Sequence, residues 1–255
     1  MAELAILNDV TRCVACRGCQ VACKQWNELP AEQTRFFAGE GYQNPGDLSF
    51  RTWTLLKFTE WSENGRVNWA FHRRACMHCS EAACVEICPT GALRHSEEGF
   101  VVLNRDDCVG CRWCESACPF DVPRVERTAS KCIACVERIR SDLLPACVKA
   151  CSAGALQIGP RSEMLLRARA RVAEVPAASV YGDTQLGGLH VIYVLPDKPE
   201  RFELADTPRP GDAAAVVKLL KCVLPGGLLV SAVLALSRLG PGSTSSHRPA
   251  DESGA

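Results

Sequence analysis

Cys108-Val-Gly-Cys111-Arg-Trp-Cys114-Glu-Ser-Ala-Cys118-Pro119 decides how the rest of this 255-residue chain is read. In a run of the form Cys-x2-Cys-x2-Cys-x3-Cys-Pro, three thiolates from one tight loop wrap a face of a 4Fe–4S cubane. The fourth reaches the other cluster of a pair. Three more groups sit around this one. Cys13, Cys16, Cys19 and Cys23 keep the spacing, with Lys24 in place of the proline. Cys76, Cys79, Cys84, Cys88 and Pro89 widen one gap to four residues, and Cys132, Cys135, Cys147 and Cys151 widen it to eleven. A loop that bulges away from a cluster tolerates such widening. Sixteen of the 17 cysteines fall in these groups, and only Cys222 stands apart.

Bulk properties narrow the alternatives. Lys plus Arg and Asp plus Glu balance at 29 each, so no global basic field points to nucleic acid. Aromatics make up only 6%, which argues against a large aromatic core. A disulfide framework would pair cysteines at varied spacings, whereas pairing within these groups would strain each bond. Zinc also takes Cys-x2-Cys pairs, but four complete quartets favour iron and sulfide. No Gly-rich nucleotide loop or Ser/His/Asp arrangement is apparent, so no catalytic residue is expected. His72, His78, His95, His190 and His247 are scattered; His78, inside the second loop, reads as a cluster neighbour or a surface group rather than a ligand. The tryptophans read as packing. The Arg73-Arg74 pair and Arg167, Arg169 and Arg171 read as solvated faces.

The flanks of the groups repeat. Leu4-Ala-Ile-Leu-Asn leads into Cys13 as Phe100-Val-Val-Leu-Asn leads into Cys108, each a short apolar strand entering a ligand loop. Cys88-Pro-Thr-Gly-Ala-Leu93 matches Cys151-Ser-Ala-Gly-Ala-Leu156, each a turn into an extended segment. Two kinds of half-module in two copies predict an α+β chain of two ferredoxin-like units carrying four 4Fe–4S clusters. Group one could join group two or group four. The short separation of Cys88 from Cys108 favours two with three, and so one with four. The expected ligand sets are Cys13, Cys16, Cys19 and Cys151; Cys132, Cys135, Cys147 and Cys23; Cys76, Cys79, Cys84 and Cys118; and Cys108, Cys111, Cys114 and Cys88. The first unit then spans 1–35 and 125–195, and the second 76–124.

Residues 36–75 form an insertion. Ser49 to Trp61 and Val67 to Phe71 predict a hairpin turning at Glu63-Asn64-Gly65. Ser162 to Val175 is helix-like and Leu189 to Leu195 strand-like. The stretch 196–212, with four prolines, reads as a linker. Residues 213–239 predict a single membrane helix. Ala213 to Ser237, at about 1.5 Å per residue, exceeds a hydrocarbon thickness of about 30 Å. Lys218 and Lys221 lie near one end, and Pro225-Gly226-Gly227 is better tolerated in lipid than in water. A buried or partner-docking helix is the rival, and Cys222 within it reads as a small apolar residue. Residues 240–255 have the composition of a disordered tail. The first residues lack a secretory signal, which leaves a cytoplasmic protein or one exported with a partner.

Taken together these motifs resemble the iron–sulfur (beta) subunit of membrane-bound formate dehydrogenases. The resemblance runs from about Leu7 to Phe202. It includes Tyr42-Gln-Asn-Pro-Gly-Asp-Leu-Ser-Phe-Arg-Thr-Trp-Thr, Cys76-Met-His-Cys-Ser, Cys118-Pro-Phe-Asp-Val-Pro-Arg124, Pro145-Ala-Cys-Val-Lys-Ala-Cys151 and Gly187-Gly-Leu-His-Val-Ile-Tyr-Val-Leu195. It implies a non-catalytic electron-transfer subunit with nested cluster pairing. A molybdenum or tungsten bis-pterin alpha subunit would oxidise formate, and a cytochrome b-type gamma subunit would pass electrons to quinone. It also implies attachment through the C-terminal helix at the periplasmic face of the cytoplasmic membrane, exported with its partner, with the cytoplasmic face as the alternative. The cysteine pattern alone is shared with partners of other molybdopterin enzymes, such as polysulfide, dimethyl sulfoxide and nitrite-type reductases. Pro225-Gly226-Gly227 departs from a straight family helix.

Overall fold

The structure, a computed structural model, describes residues 3–34, 42–212 and 214. Strand β1 (Leu4–Asp9) is buried along almost its whole length, as a central strand covered on both faces must be. It leads through a 3-10 turn into the first cysteine loop and helix α1 (Gly18–Trp26). The insertion forms the expected hairpin of β2 (Leu55–Glu63) and β3 (Arg66–Arg74), with Glu63 opposite Arg66, but β2 begins six residues after Ser49, and 49–54 is loop. Asn64 and Gly65 both have positive φ, the two-residue turn whose twist matches the flanking strands.

The chain continues as α2 (Ala83–Ile87), β4 (Leu93–His95), β5 (Val101–Leu103) and α3 (Trp113–Ala117). After the small pair β6 (Arg124–Val125) and β7 (Ala129–Ser130) come α4 (Val136–Arg140), α5 (Ala146–Lys149), β8 (Leu156–Pro160), α6 (Arg161–Glu174), β9 (Ser179–Tyr181) and β10 (Val191–Leu195).

A four-stranded sheet has the order β8-β1-β10-β9, with β1 parallel to β10 and the other pairs antiparallel. Period-two alternation divides its side chains. Ala5, Leu7, Ile192 and Val194 pack against Met164, Leu165 and Ala168 of α6. Ile6, Val191, Tyr193 and Leu195 face the core that contains Cys19 and Cys147. The antiparallel pairs β1·β8 and β5·β4 join the strand entering one cysteine loop to the strand leaving another. Group one is thereby set beside group four, and group two beside group three.

Two expectations change. The proline-rich stretch 196–212 is not a free linker in its first half. Pro199–Phe202 forms a 3-10 turn, Phe202 is fully buried, and the Tyr181 hydroxyl donates to the Ala205 carbonyl at 2.8 Å. Prolines here set the direction of a strap whose apolar side chains dock. Arg73 and Arg74 do not share a solvated face. Successive residues of β3 point to opposite sides, so Arg73 is buried while Arg74 meets Asp47, Asp121 and Glu203 outside. The arginines of α6 do lie in exposed ion pairs, with Glu163, Asp183 and Glu174. Among the described residues no helix is long and apolar enough to cross a membrane. The expected membrane helix and tail, 213–255, lie outside the described residues except for Ala214.

Candidate iron–sulfur centres

The four cysteine loops share a backbone device. In Cys13-Val-Ala15-Cys16, Cys76-Met-His78-Cys79, Cys108-Val-Gly110-Cys111 and Cys132-Ile-Ala134-Cys135, the residue before the second cysteine has positive φ. A left-handed residue following right-handed or extended ones turns successive backbone N–H groups toward one concave side, suited to an anion. Only Gly110 is a glycine. A Cβ there would sit 2.4 Å from the Arg127 carbonyl oxygen, so the close approach requires its absence.

Short helices divide their cysteines between two sites. Helix α1 supplies Cys19 and Cys23, and α5 supplies Cys147 with Cys151 just beyond its end. One cavity is lined by Cys13, Cys16, Cys19 and Cys151. A second is lined by Cys23, Cys132, Cys135 and Cys147. Helices α2 and α3 carry Cys84 and Cys114, with Cys88 and Cys118 just past them. Cys88, Cys108, Cys111 and Cys114 line a third cavity. Cys79 lies within the electrostatic reach of Cys76, Cys118 and Cys84.

The residues fit clusters better than a single ion. None of the sixteen cysteines among the described residues is in a disulfide. Among the described residues no three His, Cys, Asp or Glu side chains converge on a point able to hold one metal ion. Thiols that ring a cavity instead suit separate irons of one core. Burial first, and neighbouring cysteines next, push several thiols far up. Cys19 and Cys23 reach about 12, as does Cys114. Such thiols would stay protonated alone, whereas bound metal deprotonates them outright. Sulfurs also accept backbone N–H groups, from Ala129 to Cys108 at 3.2 Å and from Leu156 to Cys151 at 3.3 Å.

Of the nearby residues, Arg73 alone departs from its sequence reading. His78 is fully buried, and its Nδ1 accepts the Val101 N–H at 3.0 Å, so that nitrogen is occupied. Burial, with Lys131 and Arg73 nearby, holds its imidazole neutral. Trp53 is buried in the wall of the second cavity, and Trp26 lies under the Arg138 guanidinium at 4.1 Å. Arg73, unforeseen as part of the site, lines the first and second cavities together. Burial opposes its charge, but Cys147 and Cys132 around it hold the guanidinium above its ordinary value.

Two models described as 4Fe-4S dicluster domains match the chain, over residues 12–92 and 67–161. They overlap at 67–92 and follow the order of the sequence, so their limits do not coincide with the strand pairings. The nitrate-inducible formate dehydrogenase iron–sulfur subunit of Escherichia coli strain K12 is 40% identical over 212 residues, covering 79% of this chain and 71% of that protein. The chain belongs to the formate dehydrogenase iron–sulfur subunits. Members of this family from other bacteria agree. The formate dehydrogenase iron–sulfur subunit of Haemophilus influenzae is 36% identical over 255 residues, covering 94% of this subunit and 81% of its own length. Formate dehydrogenase subunit beta of Megalodesulfovibrio gigas is 38% identical, covering 76% and 94%. The subunit is thus an electron-transfer rather than a catalytic component, and it binds 4Fe–4S clusters.

Proposed function

We propose that this subunit carries four 4Fe–4S clusters. Their ligands are Cys13, Cys16, Cys19 and Cys151; Cys23, Cys132, Cys135 and Cys147; Cys76, Cys79, Cys84 and Cys118; and Cys88, Cys108, Cys111 and Cys114. Residues 1–35 with 125–195 form the first cluster unit, and 76–124 the second. The observation that carries this reading is the order of the quartets. Cys19 neighbours Cys147 electrostatically, Cys23 and Cys132 pack with Cys76 and Cys118, and Cys84 neighbours Cys114. The two inner sites are thus buried side by side. The outer two approach the surface at the half-exposed Val14 and Val109. A line of one-electron centres with exposed ends is a wire.

Its upstream partner in this reading is a molybdenum or tungsten subunit that oxidises formate. Downstream is a membrane cytochrome b-type subunit and quinone, with 213–239 as the anchor and the periplasmic face as the location. Two observations support an anchor: the apolar run itself, and the extent of the Haemophilus match. Coverage of 94% leaves about 15 residues unaligned, fewer than the 43 that follow Asp212, so that relative shares part of this segment. Truncation after Asp212 tests the anchor, which is wrong if the shortened complex still sediments with membranes. Formate added anaerobically to the complex should reduce all four clusters of this chain; clusters that stay oxidised while the catalytic subunit turns over would contradict the relay.

A further inference from the structure

Arg73 is a buried cation with no carboxylate in reach among the described residues. Its residue is 2% exposed, and it takes part in none of the ion pairs there. Nε and Nη1 are buried without a hydrogen-bond partner, and Nη2 makes only long contacts, to Thr54 Oγ1 at 3.4 Å and Cys132 Sγ at 3.8 Å. An unpaired charge in a protein interior is costly, so some anion must offset it. Lys131 is buried as well, but its ammonium donates to the carbonyls of Val101 at 2.5 Å and Cys132 at 2.8 Å. The need for a counter-charge is sharper at Arg73.

The two cavities it borders are the first and second quartets. Arg73 lines the one with Cys13, Cys16, Cys19 and Cys151, and also the one with Cys23, Cys132, Cys135 and Cys147. Four thiolates on a 4Fe–4S core leave a net negative charge that grows by one on reduction. A fixed cation between two such groups favours the reduced form of each and screens their mutual repulsion. Its position is held from behind, because the Tyr193 hydroxyl donates to the Arg73 carbonyl at 2.6 Å.

We propose that the Arg73 guanidinium is a shared counter-ion for the first two clusters, raising both reduction potentials and letting both hold an electron at once. This rests on the four-cluster reading above. The step is electron transfer alone: one cluster loses an electron and its neighbour gains it, and Arg73 keeps its protons throughout.

The test is potentiometric titration, read by electron paramagnetic resonance, of the intact complex with the wild-type chain, Arg73→Lys or Arg73→Met. In Arg73→Met, two of this chain's potentials should fall by about tenfold in the reduction equilibrium, about 59 mV for one electron. The other two should stay in place, and Arg73→Lys should lie near wild type. Unmoved potentials in a fully loaded Arg73→Met complex overturn the proposal, as does a shift confined to one cluster. Equal shifts in Lys and Met variants overturn it too, since they report packing. If Arg73→Met fails to load iron, loading becomes the readout. Full iron in Arg73→Lys supports a required charge, and loss in both variants overturns it. A wild-type chain lacking the first two clusters would instead refute the reading on which this rests.

Discussion

The Tyr193 hydroxyl donates to the carbonyl oxygen of Arg73 at 2.6 Å, joining β10, an interior strand of the sheet, to β3 of the inserted hairpin. Both residues are buried, so this bond sets where the hairpin lies against the first two cysteine cavities. Tyr193→Phe keeps the ring and deletes the donor. It should lower stability by about 1 kcal/mol, seen as a lower urea midpoint with unchanged slope; an unchanged midpoint would show that the bond contributes nothing.

Gly110 stands where a side chain cannot. With φ at +67° and the Arg127 carbonyl 2.4 Å from any added Cβ, Gly110→Ala must move one of two backbones. The expected result is selective loss of the cluster held by Cys88, Cys108, Cys111 and Cys114, about four irons per chain. Ala134→Gly, at the matching position of another loop, should keep full iron. Metal analysis of both variants decides.

Cys23 lies one helical turn after Cys19 yet lines a different cavity, with Cys132, Cys135 and Cys147. Cys23→Ser should therefore abolish or convert the second cluster's resonance and leave the one bordered by Cys76 intact. The reverse outcome would dismantle the nested pairing.

Burial, with Lys57 and Arg74 nearby, brings the His72 imidazole down to about 3. The unfolded chain takes this proton near pH 6.5 while the folded one refuses it until far lower. Between those values the unfolded state binds more protons, so stability falls as pH is lowered, by up to about 1.4 kcal/mol per unit. Thermal midpoints from pH 7.5 to 5.5 should drop less in His72→Phe than in wild type; parallel slopes would remove His72 from the account.

The cysteine groups were legible because ligand spacing is local, and the strands beside them because their flanks repeat. Leu4-Ala-Ile-Leu-Asn and Phe100-Val-Val-Leu-Asn announce equivalent strands, and β1·β8 and β5·β4 follow from them. The Asn64-Gly65 turn was readable for the same reason: its two positive φ values demand particular residues. Arg73 was not. Two adjacent arginines on a strand must face opposite ways, but which one turns inward depends on what the hairpin covers. The left-handed residues Ala15, His78 and Ala134 were hidden because, unlike Gly110, nothing in their chemistry advertises the conformation. The strap around Phe202 was hidden because prolines mark a change of direction, and only the burial of Phe202 and Leu204 shows that it docks.

Iron and acid-labile sulfide, measured per copy of the anaerobically purified chain, test the central claim most directly. Four cubanes predict about sixteen of each and no zinc. A colourless chain that holds zinc and no sulfide would contradict the account, and about eight irons would leave only one of the two units loaded.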